Sequence, residues 1–92
     1  MYRLKYTHAF KKSYRRCQKR GYDMALLNDV MGMLRRGETL PEKYHDHMFK
    51  GKLEGFHECH IRPDWLLIYL VEDDIVTMTM IDTGSHAELF QM

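Results

Sequence analysis

The sequence is short of the residues that build disulfide-rich, zinc-binding and membrane proteins. Its two cysteines, Cys17 and Cys59, are too few and too far apart for a disulfide scaffold or a zinc ribbon. No apolar run approaches the roughly 20 residues of a membrane span, and the N-terminus lacks the apolar stretch of a signal peptide. We therefore expect a cytoplasmic protein with no membrane partner.

Prolines are also scarce, and no linker, repeat or low-complexity segment interrupts the chain. A hydrophobic content of 45% over 92 residues makes global disorder unlikely on composition alone and suffices for one core. The sequence therefore predicts a single domain over residues 1–92.

Acidic residues are rare in the first part of the chain, and basic residues are missing from the last. The net charge is +1, but residues 1–37 hold ten Lys or Arg against two Asp, and residues 70–92 hold five Asp or Glu and no Lys or Arg. A basic N-terminal face would suit a phosphate-rich partner. The alternative is that helices simply carry solvated charges, and composition leaves both open.

Two helices are predicted in the first half of the chain. Thr7 caps the first, which runs to Arg20 with an apolar stripe and ends at Gly21. Asp23 caps the second, which Gly37 ends. The two apolar stripes consist of Phe10, Tyr14 and Cys17, and of Leu27, Val30, Met31 and Leu34.

Strands are predicted before and after this helical pair. Residues 2–6 alternate between apolar and basic, and a loop over 38–52 leads to a strand over 56–61. The continuous apolar run 65–71 indicates a central strand, which forms a hairpin with 75–81 through a turn at 72–74. The order β-α-α-β-β-β predicts an α+β fold, with the helices packed on a mainly antiparallel sheet and a short capped helical turn at 85–88.

Three blocks of the second half contain most of the side chains that can exchange protons near neutral pH. They are Tyr44-His45-Asp46-His47, Glu58 to Trp65, and Gly84 to Phe90. Alternation places Glu58 and His60 on one side of their strand and His57 and Cys59 on the other. One small sheet could unite His47, His60, Asp64 and His86, a set suited to metal-independent phosphodiester chemistry on RNA, with Trp65 and Phe90 available to stack a base.

Each of these residues also has a purely structural interpretation. Trp65 begins a core strand, Asp64 follows a proline as turn residues do, and His86 starts a helix. His45 and His57 are interpreted as bystanders on exposed faces. A metal site built from His45, His47, His57 and His60 lacks the spacing of structural zinc, so we predict neither a metal nor another cofactor.

The motifs together make the chain recognisable. His60-x-x-Pro63-Asp64-Trp65, preceded by Tyr44-His45-Asp46-His47 and followed by Gly84-x-His86-x-x-Leu89-Phe90, resembles the YafQ branch of the RelE-like toxins of type II toxin–antitoxin systems. The similarity runs nearly from end to end.

The resemblance implies a RelE-like fold and an enzyme, a ribosome-dependent endoribonuclease or mRNA interferase. Such a toxin cleaves mRNA in the ribosomal A site by attack of the 2′-hydroxyl, and so inhibits translation and growth. The catalytic groups implied by position are His47, His60, Asp64 and His86. Trp65, Phe90 and Glu58 are implied as supporting or substrate-binding residues.

The implied partners are the ribosome, mRNA and a neutralising antitoxin of the RelB/DinJ kind. The alternative is a non-enzymatic, ParE-like toxin that binds a protein such as gyrase, because the fold alone does not decide activity. The four-residue catalytic set favours the nuclease.

Overall fold

The computed structural model describes residues 1–49 and 55–90 and has the predicted α+β architecture. Within these ranges, two short 3-10 turns, Glu42–Tyr44 and Asp73–Ile75, supplement the helices and strands. Within the described ranges, no helix is long and apolar enough to cross a membrane. The strands and helices are, in chain order, β1 Arg3–Tyr6, α1 His8–Lys19, α2 Met24–Arg35, β2 His47–Met48, β3 Phe56–Arg62, β4 Trp65–Glu72, β5 Thr77–Gly84 and α3 His86–Phe90.

The helix caps form as predicted. The Thr7 hydroxyl accepts a hydrogen bond from the backbone N–H of Phe10 at 2.9 Å, and the Asp23 carboxylate accepts one from Ala25 at 3.3 Å. Gly21 and Gly37 follow the two helices with positive φ, a backbone conformation that costs glycine little.

The sheet has the order β1-β5-β4-β3-β2, with β1 parallel to β5 and the other pairs antiparallel. The continuous apolar run therefore lies in the central strand β4, as predicted. Both apolar helix stripes contribute to the core, which also contains Cys59 and Ile61 of β3 and Trp65, Leu67 and Tyr69 of β4. Cys17 is fully buried beside this cluster.

The predicted loop over residues 38–52 is partly wrong, because it contains the 3-10 turn and the strand β2. His47 and Met48 pair with Glu58 and His57 of β3, so β2 extends the sheet by one short edge strand. Two residues carry too little periodicity to be recognised in a sequence. Residues 50–52 of the predicted loop, including Gly51, lie outside the described residues.

The last strand begins later and ends later than predicted. Residues 73–75 form a 3-10 turn, and Val76 follows it with φ 49° in the left-handed region, so Ile75 and Val76 are exposed. The strand then continues to Gly84, which pairs with Leu66 of β4. This extension brings the start of α3 next to the hairpin that joins β3 to β4.

Candidate active site

His86 and Asp64 meet at one end of the sheet. Asp64 lies in the two-residue turn between β3 and β4, and His86 is the first residue of α3, directly after the strand that pairs with β4. The Asp64 Oδ1 atom accepts the His86 backbone N–H at 2.9 Å and lies 2.6 Å from the His86 Nδ1 atom. These two hydrogen bonds, the backbone one first, hold the pKa of the Asp64 carboxyl below its usual range.

This contact determines which nitrogen of His86 faces the site. An ionised carboxylate only accepts hydrogen bonds, so the Nδ1 atom of His86 carries a proton and donates it to Asp64. The Nε2 atom is then left to exchange a proton with a substrate. The His86 side chain is 38% exposed, so a substrate can reach it.

Glu58 brings two further histidines together. Its carboxylate is buried, and its Oε1 atom lies 3.4 Å from the Nε2 atom of His60 and 3.8 Å from the Nε2 atom of His47. The His60 and His86 rings lie edge to face, with centroids 5.7 Å apart. The structure thus places His47, His60 and His86 around one acidic side chain, with Asp64 behind His86.

The tautomer of His47 follows from its backbone contact. The Nδ1 atom lies 2.9 Å from the carbonyl oxygen of His45, and a carbonyl only accepts, so Nδ1 carries the proton. In the neutral ring, Nε2 then has a free lone pair. This histidine is half exposed, which suits a group that takes a proton from a bound RNA.

Phe90 and Trp65, both predicted to support the site or stack a base, lie in different environments. Phe90 is 40% exposed, and its ring centroid lies 6.5 Å from that of His86, where it can contact a substrate. Trp65 is 3% exposed, packs edge-on against Tyr22, and donates its indole N–H to the hydroxyl of Thr83 at 3.0 Å. This packing suits a supporting role and leaves almost no indole surface for a base.

Glu88, which sequence reasoning did not select, anchors the helix that carries His86. Its Oε1 atom accepts the Ser85 backbone N–H at 2.9 Å, and the Ser85 hydroxyl accepts the Glu88 N–H at 3.1 Å, the two halves of a capping box. Its Oε2 atom accepts a hydrogen bond from Arg20 of α1 at 2.6 Å and makes an ion pair with Arg16 at 3.1 Å. The capping pattern was visible in the sequence, but the link to α1 was not.

A side-chain hydrogen bond ties Asp46, which lies between His45 and strand β2, to the central strand. Tyr69 of β4 is buried and donates its hydroxyl to the Asp46 carboxylate at 2.6 Å. His45 is exposed as predicted, yet its ring lies 5.7 Å from that of His60, next to the site. For His57 the prediction of an exposed face is wrong, since its ring stacks on Tyr69 and only 20% of its side chain is exposed.

Three side chains of the site also have the geometry of metal ligands. One donor atom from each lies within 4.8 Å of the others, and they come from both sides of the cleft: Glu58, His60 and His86. Among the described residues, this set shares only His60 with the histidines considered for a metal in the sequence. Any metal bound here would occupy imidazole nitrogens of His60 and His86 that could otherwise exchange protons.

The chain is similar to known proteins over almost its whole length. A family model described as the bacterial toxin of type II toxin–antitoxin systems, YafQ, matches residues 2–91. The mRNA interferase toxin YafQ of Escherichia coli strain K12 is 35% identical over 88 residues, which cover 95% of this chain and 94% of that relative.

Solved structures are similar over nearly the whole chain. The crystal structure of the E. coli DinJ-YafQ complex contains a chain that is 34% identical with a TM-score of 0.90, covering 98% of this chain and 99% of that one. A metal-bound toxin from Helicobacter pylori is 39% identical with a TM-score of 0.91, covering 98% of this chain and all of that one. Such agreement confirms the predicted fold class.

Proposed function

Since the chain belongs to the YafQ family of bacterial toxins of type II toxin–antitoxin systems, we propose that it cleaves mRNA in the ribosomal A site without a metal. It is an endoribonuclease, an mRNA interferase, and it acts as a single domain in the cytoplasm. The observation that carries the proposal is the contact of His86 with Asp64, which leaves the Nε2 atom of His86 available to a substrate beside the ring of His60. A ParE-like binding toxin has no use for this arrangement.

The tautomers support an assignment of acid and base. His47 takes the proton of the 2′-hydroxyl through Nε2, and the oxygen then attacks the adjacent phosphorus. The bond from phosphorus to the 5′-oxygen breaks, and His86 donates the proton from Nε2 to that leaving oxygen. The products are a 2′,3′-cyclic phosphate and a 5′-hydroxyl, so no water, metal or redox partner is consumed.

Glu58, Asp64 and His60 have auxiliary roles in this proposal. Asp64 holds His86 in one tautomer and stabilises its imidazolium, while Glu58 orients His60 and His47 from beneath. His60, whose ring lies beside that of His86, faces the phosphate and donates a hydrogen bond to its oxygens as charge develops there. Phe90 contacts a base from its exposed position.

The basic face of α1 supports a ribosomal partner. Five cationic side chains line one shallow surface there, and two of them reach α3 through Glu88. Cations continuous with the active site suit the phosphates of ribosomal RNA. The surface consists of Lys12, Arg15, Arg16, Lys19 and Arg20. We also propose a cognate antitoxin of the RelB/DinJ kind, in line with the E. coli complex.

The test maps the 5′ ends of a defined mRNA on translating ribosomes with the toxin, with His86→Ala and with His8→Ala, an exposed histidine outside the site. We expect A-site breaks that carry 5′-hydroxyl ends and become roughly 10²–10⁴-fold slower in His86→Ala, as for loss of a general acid. The His8→Ala protein should match the wild type. Normal cleavage by folded His86→Ala would refute the mechanism, and growth arrest without breaks would favour a binding toxin.

A further inference from the structure

A groove opens beside the acid–base residues, and apart from His60 the residues that line it have no role in the reaction proposed above. It lies between Leu26 of α2, the 3-10 turn that ends at Tyr44, and the end of β3, and has a volume of about 700 Å³. Small-molecule sites in proteins commonly have volumes of about 300–1,000 Å³. We call this the Tyr44 groove; its lining includes Leu26, Lys43, Tyr44, His45, Ile61 and Arg62, and His60 joins it to the active site.

The charges of the Tyr44 groove favour an anion. Lys43 and Arg62 are both exposed, and among the described residues no acidic side chain lines the groove. The Nζ atom of Lys43 lies over the Tyr44 ring, 5.1 Å from its centroid, in a cation–π contact that holds a cation against the aromatic ring. A nucleotide matches both features, because its phosphate can contact the cation and its base can contact the aromatic ring.

The rings of the groove are held in place by the fold. Tyr44 is half-buried and packs against the core, while Leu26 and Ile61 provide an apolar floor. His45 has φ 48°, a left-handed conformation that is uncommon for a residue other than glycine. That strain persists because the next residue, Asp46, is bonded to Tyr69 of the central strand. The result is a pair of aromatic faces fixed beside His60.

From these contacts we propose that the Tyr44 groove binds a nucleotide of the mRNA that neighbours the cleaved bond. Its phosphate contacts Lys43 and Arg62, and its base lies against the rings of Tyr44 and His45. The inference rests on the proposed nuclease function, because it assigns the groove to the same RNA strand. It makes these residues determinants of codon preference, while His47 and His86 perform the proton transfers.

The experiment measures cleavage by the full chain on ribosomes that present a library of A-site codons. His45→Asn removes the ring but keeps a residue that tolerates the left-handed backbone. We expect it to lower kcat/KM by about 5- to 100-fold on the preferred codon, as for loss of one base stack, and to flatten the preference at one codon position. Lys43→Ala and Arg62→Ala should each raise KM by up to about fivefold with an unchanged pH profile. Lys5→Ala on the opposite edge strand is the control of equal charge.

A second measurement separates failure of the inference from failure of the proposed function. Wild-type protein is titrated with a non-cleavable 2′-O-methyl trinucleotide while its amide and side-chain NMR signals are followed. Shifts at Tyr44 and His45 that are lost in His45→Asn would support the groove even if ribosomal cleavage failed. Active wild-type enzyme with unaltered codon preference in His45→Asn would overturn the inference, and so would NMR shifts confined to other surfaces.

Discussion

Replacing Glu88 tests how the fold holds its catalytic histidine. The substitution Glu88→Ala removes the acceptor of the Ser85 backbone N–H, worth about 1 kcal/mol of stability for a typical hydrogen bond. It also removes the contacts with Arg16 and Arg20, whose side chains are 42% and 50% exposed, so solvent screens both pairs and the Arg16 pair contributes about 0.2–0.5 kcal/mol. Together with the Ser85 bond this amounts to about 1–1.5 kcal/mol, most of it in the cap of α3.

Loss of this attachment should lower activity without altering the chemistry. A cost of one to two kcal/mol changes an equilibrium between docked and undocked α3 by about 5- to 30-fold. Because His86 is the first residue of α3, kcat should fall by no more than that factor, which is less than the fall expected for His86→Ala. The pH profile should keep its shape, since His47, Asp64 and His86 all remain. The kcat of Glu88→Gln should fall less, because the glutamine side chain retains an acceptor for the Ser85 N–H.

The assay compares cleavage rates across pH with urea unfolding of Glu88→Ala, Glu88→Gln and the control Asp74→Ala, an exposed residue at the far end of the β4–β5 hairpin. The Ser85 N–H, followed by Arg20, lowers the pKa of Glu88. The ionised Glu88 carboxylate therefore stabilises the fold at pH values above the pKa that this residue has in the unfolded chain. The stabilisation is lost below about pH 4, as the pH falls through the lower pKa of Glu88 in the folded protein. Destabilisation with full activity would refute the positioning role, and a displaced pH profile would show that Glu88 takes part in the chemistry.

Three further predictions concern titration and ligands. Burial lowers the pKa of His57, so folding should weaken as pH falls below about 6.5, and urea midpoints at neutral and acidic pH should differ less in His57→Phe. The Cys59 thiol is fully buried and its pKa is raised, so thiol reagents should label it only after unfolding, as mass spectrometry of native and denatured protein can show. We expect Zn²⁺ to bind the protein, as calorimetry can measure, and to inhibit cleavage, and a chelator should restore the cleavage rate. Full activity of the zinc-bound protein would contradict the proton-transfer roles proposed above. The expected ligands are Glu58, His60 and His86.

Local signals accounted for most of the fold. The caps at Thr7 and Asp23 each involve a partner within three residues, so composition and spacing reveal them. Strand β2 and the start of β5 were missed for a physical reason. The first is stabilised only by pairing with β3, and the second is displaced by a turn in which Val76 adopts a left-handed backbone.

The candidate site, like the fold, could be predicted from the sequence only in part. Its residue types and their faces along β3 follow from proton chemistry and from the twofold period of a strand. Three features have no local sequence signature. They are the hydrogen bond from Tyr69 to Asp46, the contacts of Glu88 with Arg16 and Arg20, and the Tyr44 groove. Each depends on residues distant in the chain, as in the bond between Tyr69 and Asp46.

The amino acids alone predict where the helices begin, which strand lies at the centre and which side chains can exchange protons, because those properties depend on neighbours a few residues apart. The contact of Asp64 with His86, 22 residues away, and the position of Glu58 between two histidines of different strands arise only when the chain folds. Those contacts depend on strand register and on the docking of α3. A shift of one residue in register would turn Glu58 and His60 to the opposite face of the sheet.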